Sequence, residues 1–133
     1  MTTITVSDAP VAVAEAPSIY DTIGGRAALK AAVDIFFERL IADPILGAFF
    51  PGGVGEVHRR FVVTLLGEAL GGPERYRGPD LAGAHHGRGI SDFHFDRTAG
   101  HLDATLDELG VPRDLTDRII GIVATLRPAV VGG

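Results

Sequence analysis

Histidine is the residue type in this chain that is best suited to bind a ligand, and helical geometry separates its five copies. His58 precedes an apolar stripe by three to eight residues, so we expect it on the same buried face as Phe61, Val62, Leu65 and Leu66. An inward histidine is either a neutral core residue with hydrogen-bonded nitrogens or a polar group that meets a ligand in an apolar pocket. The spacing leaves both interpretations open.

His85 and His86 are adjacent, so in a helical turn their side chains point about 100° apart. Two neighbouring helical histidines cannot easily hold one metal ion, which weakens the interpretation of the pair as a chelate. We expect His86 to face solvent. His85 follows Leu81 by four residues in a short predicted turn, and taken alone it is an ordinary loop residue.

His94 and His101 are seven residues apart, about 10 Å along a helix, which is too far to share one metal ion. Threonines lie on the same face, so both histidines are most simply interpreted as solvated polar positions. The chain also lacks a His-Glu-x-x-His motif, a phosphate-binding glycine loop with its lysine and a Gly-x-Ser-x-Gly elbow. No hydrolytic site is predicted.

Composition excludes several other classes of protein. The chain has 133 residues, 46% of them hydrophobic and 22% charged, which suits one globular domain. The absence of cysteine excludes disulfides, iron–sulfur clusters and thiol catalysis. A net charge of −5 argues against nucleic acid as a partner, and no apolar run is long enough to span a membrane. Residues 1–17 lack the basic start of a secretory signal, so we expect a flexible N-terminal tail on a cytoplasmic protein.

Four amphipathic helices are predicted to position the histidines, because apolar residues recur at spacings of three and four and no stretch alternates like a strand. The helices are expected from Arg26 to about Ala42, from Val54 to Leu70, from an N-cap at Ser91 to a C-cap at Gly110, and from Pro112 through Leu126. The third of them is expected to bury Phe95, Leu102, Leu106 and Leu109.

The segment from Pro73 to Gly89 is predicted to be mostly loop, with one short helical turn around Asp80 to His86. A loop of this length in a compact domain is more often functional than not. Seven phenylalanines surround the two histidine-bearing segments in the sequence. A flat apolar cofactor between those segments would use all of them, and a packed core would use most of them, so this pattern leaves the two alternatives open.

The order of these segments resembles a group I truncated haemoglobin. The matching stretches are SIYDTIGGRAALKAAVDIFFERLIADPILGAFF, LGEALGGPERYRG and HHGRGISDFHFDRTAGHLDATLDELGVP, and the resemblance covers about Ser18 to Ala129. It implies an all-α, two-over-two helical sandwich around a haem, with the globin domain spanning residues 18–130. A loop commonly replaces most of the proximal helix in this family, which agrees with the long segment after Gly72.

The resemblance also implies roles for particular residues. The histidine of the His-x-Gly-x-Gly segment, His85, becomes the axial ligand of a haem b iron. Phe50, with Phe49 beside it, stacks on the haem, and Phe95 packs beneath it on the proximal side. Arg59, Arg60 and Arg88 are candidates to neutralise the haem propionates, with ordinary surface arginines as the alternative for each.

The distal side departs from the usual family pattern at two positions. Family members often have a tyrosine at the position of Phe37 and a polar residue at the position of Val62. The distal pocket of this chain is therefore expected to be apolar apart from His58, and to be formed by Phe37, Phe61, Val62 and Leu66. One imidazole would carry the whole task of stabilising bound oxygen.

Four functions remain open at this stage. The first is reversible binding of oxygen, nitric oxide or carbon monoxide. The second is conversion of nitric oxide to nitrate, with electrons from an external reductase. The third is a redox or signalling role with His58 as a sixth ligand of the iron. The fourth is a haem-free helical interaction domain that has kept a globin core.

Overall fold

The computed structural model describes residues 17–78 and 80–131. Within these ranges it contains seven α-helices, one 3-10 helix and no strand. The predicted tail, residues 1–17, lies outside the described residues except for Pro17, so its flexibility and the proposed domain boundary stay predictions. The α-helices are α1 (Ile19–Ile23), α2 (Gly25–Ala42), α3 (Glu56–Ala69), α4 (Leu81–His85), α5 (Asp92–Glu108), α6 (Arg113–Ala124) and α7 (Arg127–Val130), and the 3-10 helix is Leu46–Phe49.

Two helix pairs form the body of the fold. Helix α2 packs against α3, α5 packs against α6, and α2 contacts α5 where the pairs meet. The buried core lies at this crossing and includes Val33, Leu40, Leu102 and Leu106. In the part of the chain that the structure describes, no helix is long and apolar enough to cross a membrane.

The four long helices occupy the predicted segments, with ends shifted by one to two residues at most caps. Ser91 caps α5 as predicted, because its side chain accepts from the backbone N–H of His94. Gly110 follows the last turn with a φ of 82°, a left-handed conformation that favours glycine. Leu109, however, is exposed rather than buried. It lies at the C-cap of α5, where the helix has already turned away from the core.

Helix α1 is a short element that the pattern of apolar residues did not reveal. It is tied to the bend after α3, since the Tyr20 N–H donates to the Leu70 carbonyl at 3.0 Å and the Tyr20 hydroxyl donates to Glu74 at 2.5 Å. A side chain at Gly72 would lie 2.6 Å from the Tyr20 ring. The Gly71-Gly72 pair therefore lets the chain pass close to α1 before the long loop begins.

A buried carboxylate, Asp43, joins three elements at the helix crossing. One oxygen accepts from the backbone N–H groups of Ile45 and Leu46 at 2.7 and 3.0 Å, which starts the 3-10 helix. The other accepts from Arg97 Nε at 2.6 Å and from His101 Nε2 at 2.7 Å, both on α5. The prediction that His101 is a solvated position was therefore wrong. Asp43 lies 58 residues earlier in the chain, and helical spacing cannot reveal a partner at that distance.

Burial of Asp43 opposes ionisation, but the hydrogen bonds from His101, Leu46, Arg97 and Ile45 outweigh it and hold the pKa of this carboxyl far below its usual value. The folded protein therefore binds a proton at Asp43 less readily than the unfolded chain does. The resulting stability is present above the ordinary pKa of 3.8 and is lost as the pH falls towards the folded pKa.

We expect Asp43→Asn to lower the free energy of unfolding at neutral pH, because an amide cannot accept all four hydrogen bonds or neutralise Arg97. Urea unfolding followed by circular dichroism measures this effect. The matched control is Asp107→Asn, at an exposed position of α5, which should leave stability nearly unchanged. Equal stability of the two variants would contradict the assignment of Asp43 as the junction of these elements.

Candidate functional site

One cavity of about 740 Å³ lies beside the helix crossing. A volume of this size is in the range of pockets that enclose small molecules and cofactors. All ten residues that were predicted from the sequence to form a site lie on its wall, namely Phe37, Phe49, Phe50, His58, Phe61, Val62, Leu66, His85, Arg88 and Phe95. The structure thus brings together residues from α2, the 3-10 segment, α3, α4 and α5, while their roles towards a ligand stay predictions.

Helix α3 divides its apolar residues between the core and the cavity. Val63 faces the core and is almost fully buried, whereas Phe61 and Val62 are more accessible and line the cavity. His58 lies one turn earlier on the cavity side of the helix, as its spacing predicted, but it is exposed rather than buried. This division explains why Phe61, which contacts the Tyr76 ring edge-on with centroids 6.2 Å apart, is 39% exposed despite its place in the stripe.

The Phe37 ring contacts His58 at the cavity wall. Its imidazole lies 5.4 Å from the Phe37 ring, centroid to centroid, and Phe37 meets Phe50 edge-on at 6.0 Å. Arg59 covers another side of Phe37, with its guanidinium carbon 5.7 Å from the ring centroid. Phe37 is thus enclosed on several sides, and its ring limits the positions that the His58 imidazole can adopt.

The pKa of His58 is lowered from its ordinary value of 6.5. Partial removal of the imidazole from water is the main cause, and the neighbouring His85 and the positive charge of Arg88 add to it. His58 is therefore neutral at neutral pH, and a neutral imidazole has one N–H donor and one acceptor nitrogen. It can donate a hydrogen bond into an otherwise apolar part of the cavity.

His85 reaches the same cavity from α4. Asp80 caps this short helix, with its carboxylate accepting from the Gly83 N–H at 2.9 Å. In the last turn, His85 Nδ1 lies 2.7 Å from the Leu81 carbonyl oxygen. Because a carbonyl can only accept, Nδ1 carries the proton, and the lone pair of Nε2 is available to a metal. His86, one position further, is exposed as predicted.

The three arginines considered for anionic groups have different surroundings. Arg88 lines the cavity, and its Nε donates to the Ala84 carbonyl at 2.7 Å. Arg59 is bound instead by Asp34 and Glu38 at 3.3 and 3.0 Å. Arg60 borders a second, smaller cavity of about 130 Å³ between α2 and α3. Of the three, Arg88 alone is placed to meet an anionic group of a ligand in the main cavity.

His94 is a cavity residue that the sequence interpretation missed. It was predicted to be solvated, but it lines the cavity and its ring meets Phe49 edge-on, with centroids 5.0 Å apart. Its Nδ1 lies 3.0 Å from the backbone N–H of Ser91, which completes a capping box at the start of α5. The Ser-x-x-His spacing could have indicated this orientation, since a box residue is turned back towards the cap.

Tyr76 and the C-terminal residues Leu126 and Val130 also line the cavity and were not predicted. Tyr76 lies in the long loop, where no periodicity indicates which side chains point inward. Val130 lies in α7, a single turn beyond the last predicted helix. Both positions depend on how distant parts of the chain fold back over the cavity, so local patterns carry no signal for them.

The donor set suits a metal that is carried by an apolar cofactor. Among the described residues there is no group of three or more His, Asp or Glu side chains that could hold a bare metal ion. The cavity instead combines an imidazole with an available Nε2, two further imidazoles, several phenylalanine rings and one arginine. These residues fit a flat apolar macrocycle that supplies the remaining metal ligands and carries acidic groups at its edge.

Comparison with known proteins points to one family. Residues 18–131 match the model of the bacterial-like globin family. The chain is 41% identical over 120 residues to a group 1 truncated hemoglobin of Mycolicibacterium paratuberculosis, covering 90% of this chain and 88% of that protein. It is 37% identical to a group 1 truncated hemoglobin of Tetrahymena thermophila, covering 81% and 86% of the two chains.

Solved structures show the same similarity. The truncated hemoglobin of Tetrahymena pyriformis in its Fe(III) form superposes with a TM-score of 0.83 at 32% identity. The superposition covers 88% of this chain and 100% of that chain. The 2/2 hemoglobin of a Synechococcus species, in the cyanomet state with covalently attached heme, gives a TM-score of 0.80 at 32% identity, with 86% and 98% covered. The expected two-over-two helical fold is confirmed by these similarities.

We expect an NMR titration of the protein without bound cofactor to give His58 a pKa below 6.5, because burial and two positive neighbours disfavour its protonation. His58→Gln identifies the signal. Arg88→Gln should raise this pKa by removing one of those charges. A pKa at or above 6.5 in the unsubstituted protein would show that His58 points away from the cavity.

Proposed function

The chain belongs to the bacterial-like globin family as a truncated haemoglobin of group 1, and from this premise we propose that it binds oxygen reversibly at a haem b held by His85, with His58 as the distal hydrogen-bond donor. Membership of the globin family implies haem and the binding of diatomic gases. The observation that supports the finer proposal is that His58 and His85 reach one apolar cavity from separate elements, α3 and α4.

Haem bound in this cavity would supply an iron centre capable of reversible binding of a diatomic gas. His85 is suited to hold it, because the hydrogen bond from Nδ1 to the Leu81 carbonyl fixes the tautomer and orients the ring. Phe50 and Phe95 are placed to contact the macrocycle, with Phe49 beside them, and Arg88 is placed to meet a propionate.

His58 is the polar group of the proposed distal side. Phe37, Val62 and Leu66 line the same cavity and provide apolar surface near it. The lowered pKa keeps His58 neutral, so that it offers one N–H to an oxygen molecule in the cavity without bringing a charge into this space.

The absence of a hydroxyl at Phe37 is the main departure from the family pattern described above. Phe37 occupies the position where a tyrosine is common, and its ring is buried between Phe36, Phe50 and His58. A hydroxyl at this position would be an additional donor. Without it, the affinity of the site for oxygen depends on the orientation of one imidazole.

The same arrangement supports a second proposal, in which His58 ligates the iron when no gas is present. Its neighbour Phe37 is apolar, and an imidazole with few competing partners is available as a ligand.

Carbon monoxide and nitric oxide are expected ligands in either case. Turnover of nitric oxide to nitrate, and the external reductase that it requires, stay predictions for which sustained turnover with a reductant is the test.

We expect His85→Gly to lose the haem spectrum of the unsubstituted protein, because the proposed iron ligand is removed, and added imidazole to restore it. The measurement is the absorption spectrum of the protein after reduction with dithionite. A broad five-coordinate spectrum of the unsubstituted protein supports gas binding with His58 free, and sharp split bands support His58 as a sixth ligand. The matched control, His86→Gly, should have the same reduced spectrum as the unsubstituted protein. An unchanged spectrum of His85→Gly would overturn the proposal.

We expect His58→Leu to raise the rate of oxygen dissociation by roughly 10- to 100-fold, since a hydrogen bond to a strongly polarised acceptor contributes about 1.5–3 kcal/mol. Stopped-flow mixing of the oxygenated protein with dithionite measures this rate. Carbon monoxide accepts hydrogen bonds weakly, so its dissociation should change much less and provides the control. Equal oxygen dissociation rates in the two proteins would show that His58 makes no such bond.

A further inference from the structure

The side chain of Arg127 binds the C-terminal turn, helix α7, to the start of α5. Its two terminal nitrogens donate to Asp92 Oδ1 at 2.9 Å and to Asp96 Oδ1 at 2.5 Å. Its guanidinium carbon lies 4.6 Å from the centroid of the Phe95 ring. Asp92 and Asp96 are four residues apart on α5 with Phe95 between them in sequence, so one planar group is held by two carboxylates and an aromatic face.

This turn also covers the element that carries His85. Helix α7 packs against α4, which consists of Leu81–His85 and Asp80 as its cap. Leu126 and Val130 on either side of Arg127 line the cavity, together with Leu81 and Ala84 of α4. Arg127 therefore lies where the C-terminal turn, the start of α5 and, through α7, the His85 helix come together.

Helix α4 has few means of holding its own position. It has five residues, none of them fully buried, and it follows a long loop. A helix of this length is not stable by itself, so its position depends on the surfaces packed against it. Helix α7 is one of these surfaces, and α7 is itself a single turn that begins at Arg127.

We propose that Arg127 is a positioning residue for His85, acting through α7. The inference rests on the proposed role of His85 as the iron ligand. Because Arg127 binds α5, the C-terminal turn stays packed against α4. This packing restricts the movement of the His85 imidazole and of Phe95 in the cavity wall. When the interactions of Arg127 with Asp92, Asp96 and Phe95 are lost, α7 separates more readily from α4. His85 can then tilt and dissociate from a metal more easily.

The shape of the guanidinium explains why arginine suits this position. Its planar fork can donate to two carboxylates while one face stacks on a ring, and a lysine ammonium is a point charge without such a face. Each exposed ion pair contributes little by itself. Here three interactions converge on one group, and the face on Phe95 ties them to the wall of the cavity.

Another arginine of the chain provides a matched control. Arg113 donates to Asp103 at 2.6 Å and to Asp117 at 2.9 Å, again with two carboxylates. It lies at the start of α6, does not line the cavity, and its partners belong to α5 and α6. Arg113→Gln therefore removes the same kind of ion-pair cluster without affecting α7 or α4.

The experiment compares Arg127→Gln with Arg113→Gln in the haem-loaded full chain. Three quantities are measured: the rate of haem transfer to excess apomyoglobin, the iron–histidine stretching frequency of the reduced protein by resonance Raman, and amide hydrogen exchange across Leu81–His85. For Arg127→Gln we expect haem loss to be roughly three- to tenfold faster, a shifted or broadened stretching band and faster exchange in α4. Arg113→Gln should match the unsubstituted protein in all three.

A second variant replaces the carboxylate partners of Arg127 rather than Arg127 itself. The conclusion then does not depend on one substitution that could impair folding. Asp92→Asn combined with Asp96→Asn keeps Arg127 and should reproduce the changes. Identical behaviour of Arg127→Gln and Arg113→Gln, in a protein whose haem depends on His85, would overturn the inference alone. If the haem spectrum does not depend on His85, the proposed function fails first and the inference fails with it.

Discussion

The buried carboxylate of Asp43 connects the parts of the structure on which the cavity depends. It lies where α2 ends, starts the 3-10 helix through two backbone N–H groups, and pairs with Arg97 and His101 on α5. The two helix pairs cross at this place. A charge with a side chain only 2% exposed is tolerated there because four hydrogen bonds replace its water. The 3-10 helix that it begins then leads directly to Phe49 and Phe50, which line the cavity.

Two of the three imidazoles that line the cavity, those of His58 and His85, lie in different environments, which suits them to the separate roles proposed above. His85 is oriented by a backbone carbonyl, which leaves Nε2 available as a ligand. His58 contacts the Phe37 ring and is kept neutral by partial burial and by the nearby positive charge of Arg88.

The sequence predicted most of the elements and ten of the residues that line the cavity, and its errors have a common cause. The long helices and the turn around His85 follow from local spacing and capping residues, and both were correctly located. His94 and His101 were interpreted as solvated because their neighbours on the helix are threonines. In the structure, Phe49 covers His94 and Asp43 binds His101. These partners lie in other elements, and a periodic pattern reports which face of a helix is polar, not what that face meets.

The sequence by itself determined the helical segments, the apolar stripe with His58 at its head, and the resemblance that assigned a role to His85. These depend on interactions within a few residues, such as helix spacing and capping, or on the order of recognisable segments. Tertiary structure alone decided the Asp43 junction, the pairing of Arg127 with the start of α5, and the return of Val130 to the cavity. Each of these needs groups that are distant in sequence to meet at a set distance. Hydrogen bonds and ion pairs act only within a few ångströms, so the folded backbone must bring those groups together before the contacts exist.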